Sequence, residues 1–269
     1  MEHKIKISHE VPLSLLNESN KFNDYQYILP HLIDKYESYK NYMLSYRKNS
    51  DSFIICDNGL FEGVTHTEND LIEKINLIKP DIFVVPDEWN DTALTYRNAK
   101  YWMNVIKEQL PKETELMVVM QGHSLGDFMN LYNQSAALGY THFAFNHSSK
   151  YYQNDGYHPN PLVNQMMNRI YIISRLYKEK IIKDSHYVHL LGASLPQEFL
   201  YYNDPKFNFI KSVDTSNPVI VGALGQSYEE YGLLTKPKNK IEDFMEREFD
   251  EREIKIIQNN IHKFKSFTK

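Results

Sequence analysis

The sequence predicts a (β/α)8 barrel with extra N- and C-terminal helices, on two grounds. The chain has 269 residues, close to the roughly 250 that such a barrel needs. Short β-branched and aromatic runs also recur along it with helical segments between them, an alternation typical of parallel α/β proteins. We therefore expect residues 1–269 to form a single barrel domain around one large core.

Apolar runs supply the predicted strands. They have the near-continuous hydrophobic character of strands that are buried on both faces. Eight runs are found, which is the number that a closed barrel of this type requires. They are residues 4–7, 53–56, 82–85, 116–120, 142–145, 187–191, 209–213 and 219–221.

The segments between the strands carry helix signals. Thr67 begins the pattern Thr-Glu-Asn-Asp, which predicts a capped helix that closes at Pro80. Further helices are predicted over residues 90–109 and 127–138, the second followed by Gly139 as the terminating glycine.

The two ends of the chain also look helical. The first 50 residues and residues 241–264 have amphipathic patterns, so we expect both to pack against the barrel. Residues 148–161 are the least regular stretch and follow the fifth predicted strand. A long loop in that position predicts an active-site lid.

Composition and charge exclude several classes of protein. The net charge of −5 gives no global positive field that would draw the chain onto nucleic acid, so any such contact must be a local patch. Cys56 is the one cysteine, which excludes an internal disulfide and a cysteine-rich zinc module. The beginning of the chain shows no signal-peptide pattern and no stretch has the apolar length of a membrane span. We expect a cytoplasmic location and no membrane partner.

Polar residues stand directly after most of the apolar runs, where barrel enzymes carry their active sites. An aspartate in such a place is often only a helix cap or a turn residue. Three aspartates that each stand at the end of a predicted strand instead suggest glycosidic bond chemistry. In that chemistry one carboxylate attacks or stabilises the anomeric carbon and another moves a proton. The candidates are Asp57, Asp87, Gln121, Asn146, His147, Gly192 and Asp214.

Other residue types admit both a functional and a structural explanation. Gly122 beside Gln121 would let backbone amides approach a flat ligand. Scattered histidines show no metal-ligand spacing, so we assign no metal and no cofactor. Tyrosines of the predicted lid offer stacking surfaces or simple packing. Three lysines near residue 238 are most simply a solvated turn, with a phosphate contact as the alternative. These tyrosines and lysines are Tyr151, Tyr152, Tyr157, Lys236, Lys238 and Lys240.

With these motifs in this order, the chain resembles the tRNA-guanine transglycosylase superfamily, whose barrels exchange guanine in a nucleic acid for a 7-deazaguanine base. The resemblance spans roughly residues 53–222. It rests on five segments, which are CDNGLFEG, VVPDEW, VVMQG, HLLGASLP and VDTSNP.

The resemblance implies a role for each matching residue. Asp214 would be the nucleophile and Asp57 the proton-transfer or substrate-positioning residue. The base would be bound by the remaining matches, and two further residues stand where the family has a glycine pair. The matches are Asp87, Gln121, Gly122, Leu191 and Gly192, and the replacements are Asn146 and His147.

Two departures from the family pattern bear on the substrate. The family's tRNA enzymes carry a zinc site of three cysteines and a histidine, which a chain with Cys56 alone lacks. Leu60 replaces the second glycine of the family's D-S-G-G segment, which indicates a rebuilt base pocket. A short, zinc-free chain is more similar to the virus-associated branch that inserts 7-deazaguanines into DNA. The expected partners are therefore a nucleic acid, DNA rather than tRNA, and free guanine or 7-deazaguanine.

Two other functions stay open from the sequence. One is a hydrolase or transferase that acts on free nucleosides or nucleotides, which the negative net charge suits better. The other is a non-catalytic subunit that keeps the barrel without turnover. Pocket shape and surface charge decide among these, and the oligomeric state, a homodimer included, is open as well.

Overall fold

Eight parallel strands form a nearly closed barrel in the computed structural model, which describes residues 5–147, 156 and 158–268. The order around the sheet is β1-β8-β7-β6-β5-β4-β3-β2, with every ladder parallel. This confirms the predicted (β/α)8 barrel. The strands are β1 (Lys6–Ser8), β2 (Gln26–Ile28), β3 (Ile54–Cys56), β4 (Ile82–Val84), β5 (Glu115–Met120), β6 (His142–Asn146), β7 (Tyr187–Leu191) and β8 (Ile210–Asp214).

A side chain bridges the seam between β1 and β2. The backbone amide of Asp24 donates to Ile7 O at 2.9 Å, and the Asp24 carboxylate accepts from Ile7 N at 2.9 Å. Tyr27 N donates to the Ser8 hydroxyl at 3.0 Å. These bonds satisfy backbone N–H and C=O groups at the edges of β1 and β2. Elsewhere in the barrel such groups are satisfied by hydrogen bonds between paired strands.

Helices connect the strands and cover the barrel. Thr67 caps the helix Glu68–Ile78 (α4), as predicted, by accepting a hydrogen bond from Asp70 N at 3.2 Å. Gly139, with φ of +101°, follows the helix Leu125–Ala137 (α6) in the predicted terminating position. The helices are α1 (Leu16–Ser19), α2 (Pro30–Lys35), α3 (Glu37–Arg47), α4 (Glu68–Ile78), α5 (Thr92–Tyr101), α6 (Leu125–Ala137), α7 (Pro161–Lys178), α8 (Asn217–Ala223), α9 (Tyr228–Tyr231) and α10 (Glu251–Lys265).

Shorter helical turns extend these elements. The predicted helix over residues 90–109 is α5 continued by a π-helical turn and a 3-10 turn, so its extent is confirmed although its geometry changes part-way. The short turns are Leu13–Leu15, Trp102–Ile106, Lys107–Gln109, Pro196–Asn203, Pro205–Phe207, Ile241–Phe244 and Ser266–Thr268.

One predicted strand was wrong, and one strand of the structure was not predicted. Residues 219–221 lie in α8, whose residues are all buried, so their apolar run has no polar face that would reveal a helical period. The missing strand is β2, which lies within the N-terminal 50 residues that were expected to be helical. The N-terminal helices are therefore the connections on either side of β2.

The C-terminal helix α10 packs closely against α8, and Gly222 permits the contact. A Cβ at Gly222 would lie 2.7 Å from the Cα of Ile257. None of the helices among the described residues has the length and apolar character that crossing a bilayer requires. Most of the predicted lid, with Tyr151, Tyr152 and Tyr157, lies outside the described residues.

Candidate functional site

A cavity of about 340 Å³ opens at the carboxyl ends of the strands, within the size range of small-molecule sites. Every strand, or the residues directly after it, contributes to the lining. In strand order these contributions are Glu10, Tyr27, Asp57, Asp87, Gln121, Asn146, Leu191 and Asp214. The predicted site residues other than Gly122 thus meet in one place, His147 and Gly192 included.

Asp214 ends β8 and accepts two hydrogen bonds on the same oxygen. The donors are Gly192 N and His189 Nε2, each 3.0 Å from Asp214 Oδ1. Both donors come from β7 or the residue directly after it, so the pairing of β7 with β8 fixes the carboxylate. An anchored carboxylate whose other oxygen is left for a reacting carbon suits a nucleophile.

A chain of hydroxyl groups orients His189, which is fully buried. The ring stacks on Tyr27 with 5.5 Å between centroids. Its Nδ1 lies 2.8 Å from the Ser212 hydroxyl, which accepts a hydrogen bond from Tyr187. With Ser212 donating to Nδ1, a neutral His189 carries its proton on Nε2 and donates it to Asp214.

Glycine is required at position 192. Its φ is +66°, and a Cβ there would lie 2.5 Å from His147 Nδ1. The His147 ring packs over this backbone, with Nδ1 3.3 Å from Leu191 O. Burial, followed by the charges of Lys236 and Arg169, holds the pKa of His147 well below its usual range. His147 is therefore a neutral wall of the cavity near neutral pH.

Asp57 follows β3 and differs from Asp214 in its environment. Burial raises the pKa of Asp57 to about 7, and the negative charges of Asp214 and Asp87 act in the same direction. Hydrogen bonds from the Asn58 backbone and the Tyr27 side chain partly offset this rise. Asp57 thus exchanges its proton near neutral pH, which suits a general acid and base.

Asp87 is held between two amides. Asn58 Nδ2 donates to its Oδ1 at 2.7 Å, and Gln121 Nε2 donates to its Oδ2 at 2.6 Å. Gln121 Oε1 in turn accepts from Asn90 N at 3.1 Å. Burial raises the pKa of Asp87, although both amide hydrogen bonds lower it. The result is a rigid row of hydrogen-bonding groups along one wall.

Gly122 lies apart from the other predicted residues and does not line the cavity. A Cβ at this position would be 2.6 Å from the Cβ of Asp127 in the first turn of α6. The absence of a side chain at Gly122 is explained by this close approach to α6.

A buried ion pair supports the strand ends from behind. Arg169 of α7 donates to both carboxylate oxygens of Glu198, at 2.7 Å and 2.5 Å. It also donates to the carbonyl oxygens of three residues at the ends of β6 and β7, which lie 2.9–3.2 Å away. These are Phe145, Leu191 and Gly192. The arginine thereby fixes the backbone from which Gly192 reaches Asp214.

Several residues of the lining were not among the predicted site residues. Glu10 follows β1 closely, so the strand-end rule that found Asp57 had the signal to find it. Tyr27 was hidden because β2 was not recognised. Glu62 comes from the loop after β3 and Glu242 from the short turn Ile241–Phe244, and the sequence does not indicate the path of either. Burial and neighbouring carboxylates raise the pKa of Glu10 and bring that of Glu62 to about 8.

No group of three or more His, Cys, Asp or Glu side chains within the described residues is arranged to hold a metal ion. Comparison of the chain with protein-family models and with the curated proteins gives no match. The candidate function therefore rests on the geometry of the cavity.

Proposed function

We propose that the protein is a base-exchange transglycosylase that replaces guanine in a nucleic acid, DNA in preference to tRNA, with a 7-deazaguanine base. The observation that carries the proposal is the pair of carboxylates in one cavity. Asp214 is anchored by two donors, whereas Asp57 has a pKa near neutrality. Enzymes that cleave a glycosidic bond commonly use two carboxyl groups in such different environments.

The reaction proceeds as a double displacement. Asp214 attacks C1′ of the target nucleotide, the bond between C1′ and the base breaks, and Asp57 gives its proton to the departing base. The incoming base then attacks C1′, its proton passes to Asp57, and the bond to Asp214 breaks. The enzyme ends in its starting state. The target nucleotide must leave the base stack to reach the cavity.

Asp87 and Gln121 are the proposed base-binding groups. A carboxylate accepts hydrogen bonds and an amide both donates and accepts them, which matches the edge of a purine. Asn58 and Asn90 hold these two side chains in place through the hydrogen bonds already described. Preorganised partners of this kind lower the cost of orienting the base.

The test is base exchange with Asp214→Asn. Single-stranded DNA and tRNA that contain guanine are incubated with labelled guanine or 7-deazaguanine, and incorporation is counted. We expect the variant to lose about a thousandfold or more of the rate, because the amide is a poor nucleophile. Mass spectrometry of acid-quenched wild-type protein should find a covalent nucleotide adduct that the variant lacks.

Asp204→Asn is the matched control. It makes the same chemical change at an exposed aspartate that is paired with Lys206 away from the cavity, and exchange should be unaffected. Undiminished exchange in Asp214→Asn would remove that residue as the nucleophile.

A nucleoside hydrolase or transferase is the second candidate. Six carboxylates of the described residues line the cavity and the chain is acidic overall, which favours an uncharged substrate over a polymer of phosphates. The hydrolase predicts release of free base from deoxyguanosine or guanosine without an acceptor base, because water takes the place of the base at C1′. Adding unlabelled nucleosides to the exchange assay separates the two functions, because release of free base from them is expected only of the second candidate. A non-catalytic subunit is the least favoured, since Asp57, Asp87 and Asp214 all line one cavity.

A further inference from the structure

Residues 236–240, with the sequence KPKNK, form one wall of the cavity. We call these residues the lysine segment. Its three lysines are the only lysine or arginine side chains among the described residues that line the cavity. The other charged side chains of the lining are carboxylates, of which Glu242 stands two residues beyond Lys240. The carboxylates of the lining are Glu10, Asp57, Glu62, Asp87, Asp214 and Glu242.

Lys236 is the innermost of the three lysines. It is half-buried, and no carboxylate among the described residues lies within 4.0 Å of its ammonium group. Burial lowers the pKa of Lys236, and the charges of Glu10 and Asp214 oppose that change. Lys236 thus lines the same cavity as the proposed nucleophile and has no close ion pair among the described residues.

Aromatic rings border the lysine segment at the mouth of the cavity. Phe61 is 50% exposed, although it is a large apolar side chain. Its ring lies 6.4 Å from Trp89, 6.2 Å from His147 and 5.7 Å from the Lys240 ammonium. Exposed aromatic rings interleaved with lysines are the pattern by which proteins hold single-stranded nucleic acids, with stacking on the bases and charge on the backbone.

We propose that the lysine segment binds the phosphates of a single-stranded nucleic acid whose target nucleotide occupies the cavity. Lys236 takes a phosphate of the target nucleotide, Lys238 and Lys240 take neighbouring phosphates, and Phe61 stacks on a flanking base. The placement of the target sugar rests on the function proposed above, whereas binding of the strand can be measured without turnover.

The first test measures binding of a dye-labelled single-stranded oligonucleotide by fluorescence anisotropy over a series of salt concentrations. The double variant Lys238→Ala/Lys240→Ala removes two exposed lysines, so the fold should be unaffected. We expect about a tenfold loss of affinity at low salt, and a salt slope that falls by about 0.7 for each lysine removed. Parallel titrations with DNA and RNA strands of the same sequence distinguish the two polymers.

Lys112→Ala/Lys183→Ala is the matched control, because it removes two exposed lysines that precede β5 and β7, at the opposite end of the barrel. Its affinity and salt slope should equal those of the wild type. Equal binding by both double variants, or absence of binding by the wild type, would overturn the proposal.

The second test concerns Lys236 and uses small ligands. Isothermal titration should find that deoxyguanosine 5′- or 3′-monophosphate binds about tenfold more tightly than deoxyguanosine, and Lys236→Met should abolish that preference. Equal affinities in the wild type would show that Lys236 holds no phosphate. If the phosphates bind and no base is exchanged or released, the lysine segment stands and the proposed reaction fails. If bases are exchanged and the lysine substitutions have no effect, the proposed reaction stands and the role of the lysine segment fails.

Discussion

Asp57 titrates near neutral pH because the fold buries it beside other carboxylates. Its folded-state pKa of about 7 lies above the ordinary value of 3.8. The folded protein therefore binds this proton more tightly than the unfolded chain does. The stability that the protonated carboxyl contributes is complete below about pH 4 and is lost as pH rises to about 7.

We expect Asp57→Asn to raise the melting temperature at pH 8, by roughly 5 °C, because it removes a buried charge. The gain should shrink at pH 5, where the wild-type carboxyl is protonated. Thermal melts followed by circular dichroism at the two pH values measure this. Asp204→Asn, exposed and paired with Lys206, should show no such pH dependence. A gain for Asp57→Asn of equal size at both pH values would contradict the titration of Asp57.

Individual site residues were predictable where a polar group directly follows a strand. Asp57, Gln121 and Asp214 were found by that rule, and the structure brings them together in one cavity. Lys236 could not be found in this way, because it reaches the cavity from a loop well beyond the last strand. Its position depends on the packing of that loop over the barrel, which the local pattern does not encode.

At the scale of elements, the strands that the sequence predicted correctly contain short runs of β-branched, aromatic and other apolar residues. The strand β2 was missed because it begins with a glutamine and is followed, one residue later, by the proline of α2. The opposite error concerns α8, where a β-branched run beside Pro218 forms a helix that is buried on all sides. Neither segment has a periodicity that separates strand from helix.

The helix α7 acts on the site through Arg169, which joins it to the ends of two strands. Arg169→Met should lower the free energy of unfolding by about 3–5 kcal/mol, since Glu198 is left buried with an uncompensated charge. Urea denaturation at pH 7 measures the loss.

The double variant Arg169→Met/Glu198→Gln tests the reason for that loss. Removing both charges should recover about 1 kcal/mol or more relative to Arg169→Met alone. If the double variant instead loses as much free energy of unfolding as the two single variants together, the two side chains act independently.

At the scale of the whole molecule, the barrel depends on the seam between β1 and β2. Asp24 bonds both backbone groups of Ile7 there, and its carboxylate also pairs with Lys265 of α10. Asp81 makes the same bonds to Ile54 and pairs with Arg47. The difference is that the Asp81 bonds continue a strand ladder between β3 and β4, whereas the Asp24 bonds stand in place of one.

We expect Asp24→Ala to lower the free energy of unfolding by about 1–3 kcal/mol and to speed amide hydrogen exchange along β1 and β2. Hydrogen exchange read by mass spectrometry measures the effect. Asp81→Ala is the matched control, and its faster exchange should be confined to the neighbourhood of Ile54. If faster amide exchange extends over equally many residues in the two variants, the seam does not depend on Asp24 more than β3 depends on Asp81.

Closure of the barrel also has a kinetic consequence. The seam bond of Asp24 to Ile7 spans only 17 residues. The pair of Asp24 with Lys265 spans 241 residues, and the pairing of β1 with β8 places Ile7 opposite Val213. Contacts of this range close large loops and form late in folding. We therefore expect the sheet of a refolding chain to be open at first, with β1 and β8 as unpaired edges. Unpaired edges recruit other chains, so the yield of refolding should fall as protein concentration rises.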